Sequence, residues 1–272
     1  MAEAVEAPFD RPDAGFNALP GWTWVGCYGG YYLQSDLLAG FEHGFFTRQW
    51  QGRLPEQLAG YLSAGITVHR PRQVHSALVL PASAAVAEPW PEADGLVSDA
   101  GGQSLWVCGA DCTPVLLADP RSGRVAACHA GWRGAADGIV TSTLALMRDK
   151  GAGEITALIG PTIRQPSYQV GADMREACLA SVAPGLRDAA ASCFIDDEDG
   201  RFRFDLPALV RHQLAGAGVT DIADCGEDTY RAPDHIAGSS DADSFRFFSH
   251  RRATHAAEAD CGRQISIIAL AE

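Results

Sequence analysis

The chain has 272 residues, 47% hydrophobic and 20% charged, an ordinary make-up for a globular protein with a substantial buried core. Its formal net charge of -13 excludes a broad basic surface, and with it nucleic acid or an anionic membrane as the expected partner. No signal peptide or apolar run of membrane-spanning length is recognisable, so the eight cysteines are expected as cytoplasmic thiols and ligands rather than as a disulfide framework.

Residues 1–20, rich in Ala, Pro and Asp, are expected to be irregular, and one domain is expected over 21–272. Trp22 to Leu33, aromatic and glycine-rich, reads as a strand, and so does Phe41 to Arg48. Leu54 to Gly65 reads as a helix carrying Leu54, Leu58 and Leu62 on one face. Pro71 breaks the following run, which resumes as a strand over Val74 to Leu80; Ala93 to Asp99 is another short strand. Val115 to Ala118 and Arg124 to His129 are apolar strands joined by the turn Asp119 to Gly123, the pattern of a β-hairpin.

Ala135 to Lys150 has the strongest helical periodicity, with Ile139, Val140, Thr143, Leu144 and Met147 on one face. A buried strand over Ile155 to Gly160 and a helix over Gly171 to Val182 follow. Asp205 is placed as the N-cap of a helix that buries Leu206, Leu209, Val210 and Leu214. Asp228 to Asp243 is expected as a long loop, and Ile265 to Leu270 as the last strand. Strands and helices interspersed, with many strand pairs lacking a helix between them, predict an α+β fold of mixed sheets flanked by helices.

The hairpin brings Cys112, before one strand, and His129, at the end of the other, to one end of a sheet, and His75 lies in QVHS. One thiolate and two imidazoles leave a fourth position open, the donor pattern of a catalytic zinc site, where a bound water has a pKa of about 7. Read from spacing alone, the same residues also fit a buried cysteine and two surface histidines. Cys108 lies four positions earlier, and strand alternation points it elsewhere.

QVHS, DGLVSD, ADCTPVLLADP, HAGWRG, IGPTI with Tyr168 to Gly171, and FFSHRR occur together and in order. From about Phe41 to the C-terminus the chain resembles the laccase-domain family, named for polyphenol oxidase (multicopper laccase) activity and also described as purine nucleoside phosphorylases. The resemblance implies an α/β sandwich and one zinc ion bound by His75, Cys112 and His129. It also implies phosphorolysis of adenosine, inosine, guanosine and methylthioadenosine, with adenosine deamination as a second activity. The chain departs from the family pattern at Gln49-Trp50-Gln51-Gly52 and at Asp228-Thr229.

Arg133 lies just before the expected helix at Ala135, where free N–H groups and a bidentate guanidinium suit a phosphate; the alternative is an ion pair with Asp137. Cys112, His129 and Arg133 are thus the candidate catalytic residues. Arg48, Arg251 and Arg252 are further oxyanion candidates, and Tyr168 and Phe248 are candidate platforms for a purine. Asp111, beside Cys112, is a candidate acid/base residue. The competing chemistries are a copper polyphenol oxidase using Cys112 and two histidines, a metal-free Cys112/His129 hydrolase, and a binding protein stabilised by zinc. Small-molecule nucleoside and phosphate are the expected partners.

Overall fold

Trp22–Cys27 (β1) and Gly30–Ser35 (β2) form an antiparallel hairpin across the two-residue turn Tyr28-Gly29, so the single strand expected over this stretch is two. The computed structural model describes residues 19–62, 67–233, 245–258 and 262–270. Phe41–Phe46 (β3), Thr67–His69 (β4), Gln103–Gly109 (β7) and Gln264–Leu270 (β15) complete a six-stranded sheet in the order β1-β2-β3-β15-β7-β4.

A second six-stranded sheet is built from Val79–Pro81 (β5), Gly95–Val97 (β6), Thr113–Asp119 (β8), Arg124–Ala130 (β9), Thr156–Ile159 (β10) and Ile222–Asp224 (β14), ordered β14-β10-β8-β9-β6-β5. Both sheets are mixed, for β4 with β7, β5 with β6 and β10 with β14 run parallel among antiparallel pairs. A small third sheet has Gln169–Val170 (β11), Phe194–Asp196 (β12) and Phe202–Phe204 (β13).

Period-two alternation assembles the layers. Leu116, Ala118, Val125 and Ala127 turn toward Leu33, Phe45, Leu105 and Ile268 of the first sheet, making the core between the sheets. Val115, Leu117, Ala126 and Cys128 turn the other way, against Ile139–Asp149 (α3) and Leu206–Gly216 (α6). The outer face of the first sheet buries Phe46, Trp106 and Ile267 under Trp50 and Leu58, the latter from Pro55–Leu62 (α1). The result is a sandwich of two mixed sheets between helical layers, the α+β class expected. No helix among the described residues is long and apolar enough to cross a membrane.

Several elements differ from expectation. Leu54 lies outside α1 and is exposed, because only the stripe through Leu58 faces the sheet. Gly65, the expected helix stop, and the Leu62 side chain lie outside the described residues. Of the Val74–Leu80 stretch only Val79 and Leu80 are strand, within β5, since the backbone before them turns its N–H groups to a carboxylate. The helix expected over 135–150 is two: Trp132–Ala136 (α2) and α3, separated where Gly138 takes φ 90°. FRFFSHRR ends in a short helix, His250–His255 (α7), capped by the Ser249 hydroxyl accepting from the Arg252 N–H. The expected helix at 171–182 is Ala172–Ser181 (α4), Arg187–Ser192 (α5) follows it, and Asp205 caps α6 by accepting from the Ala208 N–H. Of the irregular N-terminus and the 228–243 loop, residues 1–18 and 234–243 lie outside the described residues.

Candidate metal centre

The β8–β9 hairpin pairs Thr113 with Ala130 and Pro114 with His129, so Cys112 and Gly131 leave the second sheet side by side. The Asp119 carboxylate fixes the far end, accepting from the Arg121 N–H, the Ser122 hydroxyl and the Gly153 N–H. At the near end one ligand atom from each of His75, Cys112 and His129 lies within 4.8 Å of the others, and the two imidazoles meet edge to face with centroids 4.9 Å apart. His129 is buried, Cys112 half-buried and His75 exposed, so the cluster sits at the wall of the sandwich with one side toward solvent.

Asp94, fully buried just before β6, organises two of the three ligands. Its Oδ1 takes the His129 Nδ1 at 2.9 Å and the His75 backbone N–H at 3.0 Å. Its Oδ2 accepts from the Ser76 N–H, the Ser76 hydroxyl and the Val74 N–H. The segment carrying His75 is thereby wrapped around one carboxylate, with His75 itself at φ 61°, a left-handed backbone that a side chain rarely adopts. Because Nδ1 is committed to Asp94, Nε2 of His129 is left for the cluster.

The electrostatics follow from this packing. Burial raises the Cys112 thiol, but the charge of His129 and hydrogen bonds from His129 and His75 outweigh it and bring the thiol down to about 6. Burial opposes the His129 imidazolium, yet the Cys112 thiolate and Asp94 together raise its pKa. Asp94 resists its own burial through the bonds from His129, Ser76 and Val74 and is held down at about 2. The pair is therefore a thiolate beside an imidazolium whose orientation is fixed by Asp94.

The donor set fits a metal. A tetrahedral zinc ion takes thiolate sulfur and imidazole nitrogen at roughly 2.0–2.3 Å, which requires donors a few ångströms apart, as these are. The backbone at Gly131 also leaves the space, since a Cβ there would lie 2.9 Å from the His75 ring, 3.1 Å from the Cys112 sulfur and 3.8 Å from the His129 ring. Among the described residues this is the one group of three or more His, Cys, Asp or Glu side chains whose ligand atoms converge in this way.

Tyr168 is close enough for the Cys112 thiolate to add to burial in raising its hydroxyl pKa, and the Arg251 guanidinium lies 5.3 Å from its ring centre. Arg251 is itself tied down, its Nη1 donating to the Gln169 carbonyl at 2.7 Å. Asp111, at φ 85°, accepts from the Thr229 hydroxyl and the Arg251 N–H, one on each oxygen, which makes it a brace between β8 and α7. Thr229 is thus engaged where the chain departs from the family pattern.

Arg133 is exposed inside α2 rather than ahead of a long helix, and its guanidinium lies over the Trp132 ring at 4.5 Å, with no ion pair to Asp137. Arg48 faces the Phe248 ring at 5.6 Å, and no hydrogen bond or ion pair among the described residues joins either to the three ligands. Arg252 is consumed structurally by the Thr229, Tyr230 and Phe247 carbonyls. Asp94 opens the DGLVSD motif but was given no role from the sequence, and the close approach at Gly131 was missed.

Fold and site together define a mixed-sheet sandwich with a Cys/His centre at the rim of its second sheet. A family model described as multi-copper polyphenol oxidoreductase laccase matches residues 55–271, and the chain belongs to that family. It is 41% identical over 157 residues to a purine nucleoside phosphorylase of Synechocystis, covering 55% of this chain and 60% of that one. It is 35% identical over 191 residues to a purine nucleoside phosphorylase of Xylella fastidiosa, covering 68% of this chain and 66% of that one. The chain thus spans about 60% of the length of the Synechocystis relative. Among solved structures, a Neisseria meningitidis protein matches with TM-score 0.65 and 28% identity over 98% of this chain and 100% of that one. YlmD from Geobacillus stearothermophilus matches with TM-score 0.70 and 25% identity over 92% of this chain and 96% of that one.

Proposed function

We propose that the chain is a zinc-dependent purine nucleoside phosphorylase acting on adenosine, inosine, guanosine and methylthioadenosine, with adenosine deamination as a side activity. The observation that carries this reading is the convergence of His75, Cys112 and His129 around Gly131, in a family whose similar members bear the phosphorylase name. Held by His75, Cys112 and His129, zinc would supply Lewis-acid chemistry.

In phosphorolysis a phosphate oxygen bonds to C1′ of the ribose while the bond from C1′ to the purine nitrogen breaks. The electron pair leaves with the purine, which takes up a proton, and no oxidant is needed. Asp94 holds the His129 tautomer through both steps, and Cys112 enters as a thiolate. Tyr168, whose hydroxyl feels the Cys112 thiolate, and Arg251, 5.3 Å from the Tyr168 ring centre, are the residues assigned to the nucleoside. Arg133, exposed two residues after Gly131, is assigned to the phosphate, with Arg48 and Phe248 as further substrate candidates.

The test is chromatography of adenosine incubated with the protein, with and without phosphate, beside Cys112→Ala. Adenine that forms only with phosphate, and disappears in the variant, supports the phosphorylase. Inosine formed in either buffer supports the deaminase. Adenosine returned intact at high protein concentration overturns the reading. A metal-free hydrolase is the second reading, favoured by the Cys112–His129–Asp94 line itself; it requires turnover that survives a chelator. Copper at the same three donors is separated by metal analysis of the purified protein and by phenol oxidation.

A further inference from the structure

On the outer face of the first sheet lies a cavity of about 550 Å³, walled by the chain leading into α1, by residues 70–73 and by β7 with β15. None of the three candidate metal ligands lines it. Its charge runs against that of the molecule. In a chain of formal net charge -13, the cavity gathers Arg53, Arg70 and Arg263 against one carboxylate, Glu88.

Arg70 and Arg263 are incompletely matched. Arg70 has Glu56 and Glu88 each 3.9 Å from its Nη2, the outer limit of an ion pair, and its buried Nε has no hydrogen-bond partner. Arg263 stands exposed at the rim with no carboxylate partner among the described residues. Arg53 is anchored, with its Nη2 on the Tyr28 carbonyl at 2.6 Å and its guanidinium over the Trp50 ring.

The cavity is preformed. Gln73 clamps its wall to its floor through two hydrogen bonds with the Cys108 backbone, 2.7 and 2.8 Å long. Trp90 is held at its edge by the Arg70 guanidinium 4.5 Å from the ring centre. Pro71 and Ile265 supply apolar surface between these polar groups.

Planar guanidiniums with N–H groups to spare match the oxygens of a phosphate, and an indole with an arginine stacked on it matches a flat heteroaromatic ring. A cavity of a few hundred cubic ångströms admits both on one small molecule, whereas a free phosphate fills only a fraction of it. We infer that this cavity is a second binding site, for a nucleoside monophosphate, with the phosphate on Arg70 and Arg263 and the base against Trp90. It is separate from the His75–Cys112–His129 centre and does not depend on the activity proposed there.

Isothermal titration with AMP, and in parallel with inorganic phosphate, tests this on the full chain. The expected result is saturable AMP binding that Arg70→Gln and Arg263→Gln each weaken about tenfold, a loss equal to roughly 1.4 kcal/mol. Trp90→Ala should weaken AMP and leave phosphate unchanged, and His75→Ala should leave AMP binding at this site intact. Arg263 is exposed, so its variant keeps the measurement meaningful if Arg70→Gln folds poorly. No heat at millimolar AMP overturns the proposal. So does an affinity that survives the Arg70→Gln/Arg263→Gln double variant, or one abolished by His75→Ala alone.

Discussion

Both oxygens of Asp94 are fully engaged, one by the His129 imidazole and the His75 N–H, the other by Ser76 and Val74. In Asp94→Asn one of those oxygens becomes an amide that faces donors with donors, and the negative charge that favours the Nδ1–H tautomer of His129 is lost. We expect zinc affinity to fall about 10–100-fold, the usual cost of removing such an orienting carboxylate, with roughly 1–3 kcal/mol lost from folding. Competition for zinc against a chromophoric chelator, paired with urea unfolding, measures both; unchanged zinc affinity would sink the orienting role. The three ligands were legible in the sequence because the hairpin turn and the short motifs around them are local signals. The role of Asp94 was not, although DGLVSD marks the residue, because its partners are 18 to 35 residues away and the motif does not say what the carboxylate holds.

At the scale of elements, the β8–β9 hairpin and α6 were readable because their signals are self-contained: a DPRSG turn between apolar runs, and an Asp-Leu-Pro helix start. The α2–α3 break was hidden because the apolar face of α3 continues in phase with Ala135 and Ala136, so periodicity alone runs straight through Asp137-Gly138. Three-residue strands such as β4, β12 and β13 are too short to show alternation at all and exist because neighbouring strands recruit them. Gly138 tests the break directly. At φ 90° a Cβ has open space, with no atom closer than 4.0 Å, so Gly138→Ala brings only the left-handed backbone penalty. The expected loss is about 1–2 kcal/mol in urea unfolding at unchanged slope. Equal stability would mean that α2 and α3 merge without cost.

At the scale of the molecule, the sandwich buries an imidazole where its neutral form is required. His43 lies on the face of β3 that also carries Phe41 and Phe45 into the core between the sheets. Its Nδ1 meets the Phe41 carbonyl at 2.8 Å and its Nε2 accepts the Ser35 N–H at 2.8 Å, a pairing that only the neutral Nδ1–H ring can make. Burial depresses its pKa, outweighing the pull of the Phe41 carbonyl, whereas in the unfolded chain it titrates near the ordinary value of about 6.5. Below that value the unfolded chain therefore binds a proton that the folded chain refuses. The His43 contribution to stability is complete above about pH 7 and is lost as pH falls from about 6.5 toward the depressed folded value, by at most about 1.4 kcal/mol per pH unit. Falling pH also relieves the repulsion implied by the net charge of -13, so the raw stability profile mixes the two effects. His43→Gln removes the titration while changing the formal charge at neutral pH by nothing, and so separates them. The stability difference between wild type and His43→Gln should be flat between about pH 7 and 8 and should shift against the wild type as pH drops toward about 5.5. A difference that stays constant across that range would show that His43 accepts a proton inside the folded sandwich as readily as in water, which the Ser35 N–H on its Nε2 forbids.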